Sequence, residues 1–144
     1  MPPSNLAAAR SLYNRDSVLS ASPARLLVML YDRLLLDLSR AETAQLGEDW
    51  SLASAQLQHA QEIVTELVGS LRPELWDGGQ GLLAIYNYVL NGMAQANMRR
   101  DVVKTRECIT LLEPLRLAWH EAALKVSMHA VSYTHLTLPT NREV

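Results

Sequence analysis

The residues best suited to chemistry in this chain are its four histidines and its single cysteine, Cys108. A di-iron centre in a helical bundle needs Glu-x-x-His on two helices and further glutamates on the other two. The chain contains no Glu-x-x-His, and His59–Glu62 has the two residue types in the reverse order. One cysteine cannot form a multi-cysteine zinc site. We therefore predict no catalytic residue, no metal and no cofactor.

His59 has a second interpretation, as the phosphoryl-accepting residue of a histidine phosphotransfer bundle. Such a histidine needs cations and small residues nearby, so that a partner can deliver its phosphoryl group. Gln58, Gln61 and Glu62 surround His59 instead, and no lysine lies within a turn. Phosphotransfer is kept as a weaker alternative. Cys108 is interpreted as a small core residue, because free cysteines are usually buried.

The composition indicates one ordinary globular domain. The chain has 144 residues, 49% hydrophobic and 19% charged, with a formal net charge of −2, and can bury its own core. The absence of a dense basic block argues against nucleic-acid binding. No apolar run approaches the roughly 20 residues of a membrane span, and Met1–Arg10 lacks the pattern of a signal peptide. We predict a cytoplasmic protein with neither a nucleic-acid nor a membrane partner.

Apolar periodicity and cap residues predict four helices and no strands. The predicted helices span residues 23–44, 50–72, 81–98 and 102–126. The expected cap residues are Ser22, Pro23, Asp49, Asn97 and Asp101. Short links between long helices require an up-down-up-down course. The predicted fold class is all-α: an antiparallel up-down-up-down four-helix bundle with a short N-terminal cap segment, residues 1–22.

The helices differ in how many apolar residues they carry. The second has a heptad seam, typical of helices that cross at a shallow angle, made of Ala53, Leu57, Ala60, Val64, Leu67 and Leu71. The first helix has apolar residues nearly all the way round. It therefore has more apolar positions than the three in seven that a bundle helix needs. One of its stripes can face the bundle, namely Leu27, Leu30, Leu34 and Leu38. Leu26, Met29 and Leu36 should then be exposed unless the N-terminal segment, a second copy or a foreign helix covers them.

The last residues differ in character from the rest of the chain. Helix-forming residues give way to Thr, Ser, Tyr and Pro from Val131 onward, and Val131–Thr140 matches the translation of a sequencing-library adapter. We therefore interpret residues 127–144 as a tail that is non-native read-through from about residue 130. The predicted organisation is an N-terminal cap segment (1–22), a four-helix bundle (23–126) and this tail.

One long stretch carries a family resemblance. Tyr13–Pro23 contains a Tyr, a Ser-Val pair and Ala-Ser-Pro, and Met29–Asp32 continues with Met-Leu-Tyr-Asp. This order resembles the start of the FliS flagellar secretion chaperones. The likeness continues through Gly47–Trp50, Gly78-Gly79, Leu82–Tyr88, Ala96-Asn97, Asp101, Leu111-Leu112 and Trp119. It spans residues 6–123, and the order and spacing of these elements together make it specific.

The resemblance implies an export chaperone that catalyses nothing. It would bind the disordered C-terminal region of flagellin, prevent premature polymerisation and aid delivery to the flagellar type III export apparatus. The N-terminal segment would cover a hydrophobic groove until the client displaces it. The expected partner-binding residues are Leu12, Tyr13, Val18, Leu19, Leu26, Met29, Leu30 and Tyr31.

Further partners and one alternative function stay open from the sequence. The export gate and a flagellar regulator are possible additional partners, and the free protein could form a homodimer. A dimeric helical adaptor or regulator-binding protein is the alternative to the export chaperone.

Overall fold

The computed structural model describes residues 23–75 and 77–143, and all regular structure within these ranges is helical. The four helices are α1 (Pro23–Leu46), α2 (Trp50–Ser70), α3 (Gly79–Arg99) and α4 (Val102–Glu143). A 3-10 turn, Pro73–Leu75, lies between α2 and α3. The four predicted helices are therefore confirmed. The predicted N-terminal cap segment and Ser22 lie outside the described residues.

Three helices begin and end within two residues of their predicted bounds, but α4 does not. It begins at Val102 as expected and continues to Glu143, so the predicted end at Val126 is wrong. No Gly or Pro lies between Pro114 and Pro139, and the sequence there lacks the residue types that usually stop a helix. The read-through interpretation of residues 127–144 concerns their origin and stays a prediction.

The turn between α1 and α2 reverses the chain in three residues. Glu48, rather than Gly47, takes the left-handed conformation, with φ of 59°. The amide of Asp49 donates to the carbonyl of Ala44 at 2.8 Å. The Asp49 carboxylate then accepts a hydrogen bond from the amide of Leu52 at 3.2 Å, which satisfies a free donor in the first turn of α2.

The turn between α3 and α4 is shorter. Arg100 is the left-handed residue, with φ of 54° and ψ of 45°, and its amide donates to the carbonyl of Ala96. The predicted cap at Asn97 is therefore wrong, because Asn97 lies inside α3 and the helix continues to Arg99. Asp101 accepts hydrogen bonds from the amides of Val103 and Lys104 at 3.0 and 3.4 Å. Only two residues separate the helices, so the left-handed position must directly precede this cap.

The described residues form two compact units, one of residues 23–29 and 117–143 and the other of Leu30–Arg116. The second unit contains parts or all of every helix, and its side-chain pairs define their directions. Arg106 pairs with Glu42 and Arg116 with Asp32, so α4 runs antiparallel to α1. Tyr31 meets Tyr86 and Gln45 meets Ala96, so α3 runs parallel to α1. With α2 returning after a three-residue turn, the course is up-down-up-down.

The core of the second unit consists of one apolar stripe from each helix. The predicted heptad seam of α2 is buried from Ala53 to Leu67. One stripe of α3 is buried as well, and it consists of Leu82, Tyr86, Val89, Met93 and Ala96. In α1, Leu34 and Leu38 have no exposed surface. Each large aliphatic side chain buried in this way contributes about 1.5–3 kcal/mol to folding.

Two polar links cross this core. The hydroxyl groups of Tyr31 and Tyr86 lie 2.7 Å apart. Burial, and then the contact with Tyr31, raises the pKa of Tyr86 well above its ordinary value, so the Tyr86 hydroxyl group stays protonated. Gln45 donates to the carbonyl of Ala96 at 3.3 Å and accepts from the Thr105 hydroxyl at 2.6 Å. These links fix the rotation of α1 against α3 and α4, because each needs a particular facing residue.

Gly79 is required by a close backbone approach. A Cβ atom at this position would lie 2.4 Å from Cα and 2.5 Å from the carbonyl oxygen of Pro73. Backbone atoms cannot move aside as a flexible side chain can. Gly81, two residues later in the same helix, has nothing within 4 Å of the corresponding position.

We expect Gly79→Ala to destabilise the protein by about 2–3 kcal/mol, because the added methyl group forces the 3-10 turn away from α3. Gly81→Ala is the matched control. It should stabilise the protein by about 0.5–1 kcal/mol, since alanine is the better helix former. Urea denaturation followed by circular dichroism measures both, and equal effects of the two substitutions would contradict the close contact.

The tyrosine pair should act as a unit. We expect Tyr31→Phe and Tyr86→Phe each to cost about 1–2 kcal/mol, because each removes the hydrogen bond between two buried hydroxyl groups. The double variant should cost less than the sum, giving a coupling energy of about 1 kcal/mol in a double-mutant cycle of urea unfolding. Tyr88→Phe is the control at an exposed tyrosine and should change stability by less than about 0.5 kcal/mol. Strict additivity would contradict the pairing.

Candidate partner-binding surface

The outer face of α1 carries the apolar side chains that the bundle does not need. In the Leu30–Arg116 unit, Leu36 is 41% exposed. In the other unit, Leu26 and Met29 are 38% and 36% exposed. These are the three residues for which the sequence predicted exposure. Leu30 is only half-buried, and can present part of its side chain to solvent.

Tyr31 does not belong to this surface. Its side chain has no exposed area, and its hydroxyl group meets that of Tyr86. Tyr31 therefore offers no surface to a partner in this conformation, and its role in partner binding stays a prediction. Tyr31 follows Leu30 by one residue, and the helical rotation of about 100° per residue carries its side chain to the inner face. The other predicted residues Leu12, Tyr13, Val18 and Leu19 lie outside the described residues.

A shallow groove continues the exposed face of α1 toward α2. It has a volume of about 630 Å³, and its walls are mainly apolar. We call it the α1–α2 groove, and its lining residues are Ser39, Arg40, Thr43, Ala44, Gly47, Asp49, Leu52 and Gln56. Leu36 precedes Ser39 by three residues and Arg40 by four, so it lies on the same face of α1. On the α2 side, Leu52 is 45% exposed.

The residues that line the groove are suited to binding another polypeptide chain rather than to catalysis. Its two charged residues are Arg40 and Asp49, which have opposite signs. The Asp49 carboxylate is already occupied by the amide of Leu52. The remaining hydroxyl and amide groups can orient a bound chain, while Leu36 and Leu52 offer apolar area. Apolar walls with a few polar groups at the rim are typical of a groove that receives an amphipathic helix.

A buried carboxylate connects α1 to α2, and sequence reasoning missed it. Asp37 has no exposed surface. It accepts a hydrogen bond from Nε of Arg33 at 3.0 Å and pairs with Nδ1 of His59. Both partners are about half-exposed, so the pair is open to water at its rim. The available signal was an aspartate between Leu34–Leu36 and Leu38 in the most apolar stretch of the chain.

This contact changes the interpretation of His59. The sequence left it open as a phosphoryl acceptor, whereas in the structure its Nδ1 pairs with Asp37. Loss of His59 would leave the buried Asp37 carboxylate with Arg33 as its remaining side-chain partner, and an incompletely paired buried carboxylate is destabilising. His59 therefore has a structural role between α1 and α2. Among the side chains that the structure describes, no three of the types His, Cys, Asp or Glu converge as metal ligands.

Cys108 is a core residue. Its side chain is fully buried, and its Sγ lies 3.8 Å from the carbonyl oxygen of Val89. Burial raises the pKa of the Cys108 thiol to about 12, so it stays protonated and unreactive at neutral pH. Within the part of the chain that the structure describes, no helix is long and apolar enough to cross a membrane.

The comparisons with known proteins agree with this architecture. The family model described as flagellar protein FliS matches residues 5–126. One solved structure, the crystal structure of a flagellar chaperone from bacteria, superposes with a TM-score of 0.65 at 15% sequence identity. That superposition covers 79% of this chain and 96% of the other, and at this identity it supports the helical bundle fold.

Two curated relatives are close enough in sequence to compare. The flagellar secretion chaperone FliS of Escherichia coli (strain K12) is 33% identical over 115 residues, which are 78% of this chain and 85% of the relative. The protein of the same name from Bacillus subtilis (strain 168) is 29% identical over 110 residues, or 76% and 82% of the two chains. With the family model covering most of its length, the chain belongs to the FliS family of flagellar secretion chaperones.

Proposed function

We propose that this protein is a cytoplasmic export chaperone that binds the disordered C-terminal region of flagellin. By holding that region it prevents premature polymerisation and aids delivery to the flagellar type III export apparatus. The observation that supports this most is the exposed apolar face of α1, represented by Leu36, next to the α1–α2 groove. Membership of a chaperone family also means that the chain is not an enzyme.

The energetics of such a client favour an apolar surface. A disordered segment that folds on binding must offset its ordering cost, about 2–5 kcal/mol or more, with buried apolar area. The α1–α2 groove and Leu36 offer that apolar area. The two charged residues of the groove, Arg40 and Asp49, have opposite signs, so their charges cancel. Binding should therefore depend on hydrophobic contact and only weakly on salt.

The N-terminal segment completes this proposal. Leu12, Tyr13, Val18 and Leu19 act as a movable apolar cover, which the client displaces. Leu26, Met29 and Leu30 contact the client, while buried Tyr31 supports the helix from inside the bundle. The export gate and a flagellar regulator are further partners in this proposal, and a homodimer in the free state is the competing way to cover α1.

We expect a flagellin C-terminal peptide to bind with a clearly negative heat-capacity change and little dependence on salt, because apolar burial drives the association. Leu36→Ser should weaken binding about fivefold, since the side chain is only partly exposed before binding. Leu75→Ser is the matched control, because Leu75 is 72% exposed in the 3-10 turn, away from the groove lining. Isothermal titration calorimetry at several temperatures and salt concentrations measures all of these quantities.

Two outcomes of that titration count against the proposal. Strongly salt-dependent binding without a heat-capacity change would show that charges provide the affinity. Equal losses in Leu36→Ser and Leu75→Ser would show that the outer face of α1 has no special role. Sedimentation of the free chain tests the homodimer, whose formation should compete with the peptide.

Deleting residues 1–22 separates two roles of the N-terminal segment. A cover that competes with the client reduces apparent affinity by the fraction of molecules in which it is closed. Its deletion should therefore leave peptide affinity unchanged or raise it. A truncated protein that keeps its circular dichroism spectrum but loses binding would show that the segment is part of the site.

The tail is proposed to be dispensable. The family match ends at residue 126, which is also the predicted end of the bundle domain. Deleting residues 127–144 should leave the melting temperature and the affinity for the flagellin peptide within error. A fall of about 4–8 °C would correspond to a loss of about 1 kcal/mol, and would show that the tail stabilises the bundle.

A further inference from the structure

A second recess lies at the end of the Leu30–Arg116 unit where α1 finishes, α2 begins and α3 finishes. It has a volume of about 270 Å³. We call it the Arg100 pocket. The lining residues that matter for its chemistry are Gln45, Trp50, Ser54, Asn97, Met98 and Arg100. It has no residue in common with the lining of the α1–α2 groove.

Arg100 supplies the positive charge of the pocket. Its left-handed backbone ends α3, and its guanidinium lies 4.9 Å from the centroid of the Trp50 ring. Stacking of this kind holds the guanidinium plane and leaves its N–H groups at the edge available for hydrogen bonds. Among the described residues, Arg100 forms no ion pair, whereas Arg106 and Arg116 each reach carboxylates.

Among the described residues, no acidic group of the neighbouring turns forms an ion pair with Arg100. Asp49 accepts from the amide of Leu52, and Asp101 accepts from the amides of Val103 and Lys104. Glu48 is exposed in the first of these turns, but no ion pair joins it to Arg100 within the described residues. The positive charge of Arg100 is therefore available to a ligand.

The remaining lining residues restrict what that ligand can be. Gln45 is buried, and both ends of its amide are used by Ala96 and Thr105, so it forms a fixed uncharged wall. Ser54 and Asn97 add neutral polar groups, and Met98, which is 76% exposed, adds apolar area. One cation among neutral polar groups suits a carboxylate, whereas sites for phosphate usually bring several donors and charges together.

We propose that the Arg100 pocket binds the carboxylate of an acidic side chain on a peptide segment of a partner protein. The N–H groups of Arg100 donate to the carboxylate, Ser54 and Asn97 supply neutral hydrogen bonds, and Met98 packs against an apolar residue beside the acid. The volume admits one side chain. This site is separate from the α1–α2 groove and does not depend on the identity of the client proposed above.

The test uses the full-length protein and two synthetic pentapeptides, Ala-Leu-Glu-Leu-Ala and Ala-Leu-Gln-Leu-Ala. Both are acetylated and amidated, so the glutamate side chain is the only charge that differs. Binding is followed by the NMR signal of the Trp50 indole N–H, assigned with Trp50→Phe. The glutamate peptide should bind up to about fivefold more tightly than the glutamine peptide, as expected for one charge pair at an exposed arginine.

Two arginine variants locate the interaction. Arg100→Gln should reduce the affinity for the glutamate peptide to that of the glutamine peptide. Arg99→Gln is the matched control, because Arg99 precedes Arg100 and is exposed but does not line the pocket. It should leave the preference intact. The proposal is wrong if the two peptides bind equally, if neither saturates the Trp50 signal, or if Arg99→Gln has the same effect as Arg100→Gln in proteins with unchanged circular dichroism.

Discussion

Helix α1 has a polar contact with each of the other three helices, and the arrangement of the bundle depends on these contacts. Its apolar positions alone do not choose a rotation, because leucines occur nearly all the way round the helix. The polar contacts choose it, since each buried donor or acceptor must meet its partner. The contacts are Asp37 with His59 of α2, Tyr31 with Tyr86 and Gln45 with Ala96 of α3, and Gln45 with Thr105 of α4.

Fixing the inner face of α1 also determines its outer face. With Tyr31, Leu34 and Leu38 buried, helical geometry turns Leu36 outward, and the end of α1 forms the α1–α2 groove with α2. The polar contacts behind the groove hold its α1 wall in place, so the groove is a preformed surface. A chaperone benefits from this arrangement, because preorganisation reduces the ordering cost of binding.

The two turns at one end of the helices link turn chemistry to packing. Both turns at the end that carries Glu48 and Arg100 use left-handed non-glycine residues, each followed by an aspartate that caps the next helix. Placing Arg100 there brings its guanidinium over Trp50. The predicted caps Asp49 and Asp101 could be read from residue type and position, whereas Asn97 could not, because asparagine is also tolerated within a helix.

The sequence by itself determined the number of helices, nearly all of their ends, the stripe buried in α2, and the family. These follow from local periodicity, capping and the order of motifs, which a linear sequence contains. Only the tertiary structure decided that Tyr31 is internal, that Asp37 is buried between Arg33 and His59, and that Trp50 and Arg100 share a pocket. Each of those facts joins residues of different helices or depends on the rotation of one helix against another. The rotation of each helix is set by two conditions together: buried polar groups must be hydrogen-bonded, and side chains must pack closely. Both conditions depend on contacts between helices, so no single segment of sequence determines them.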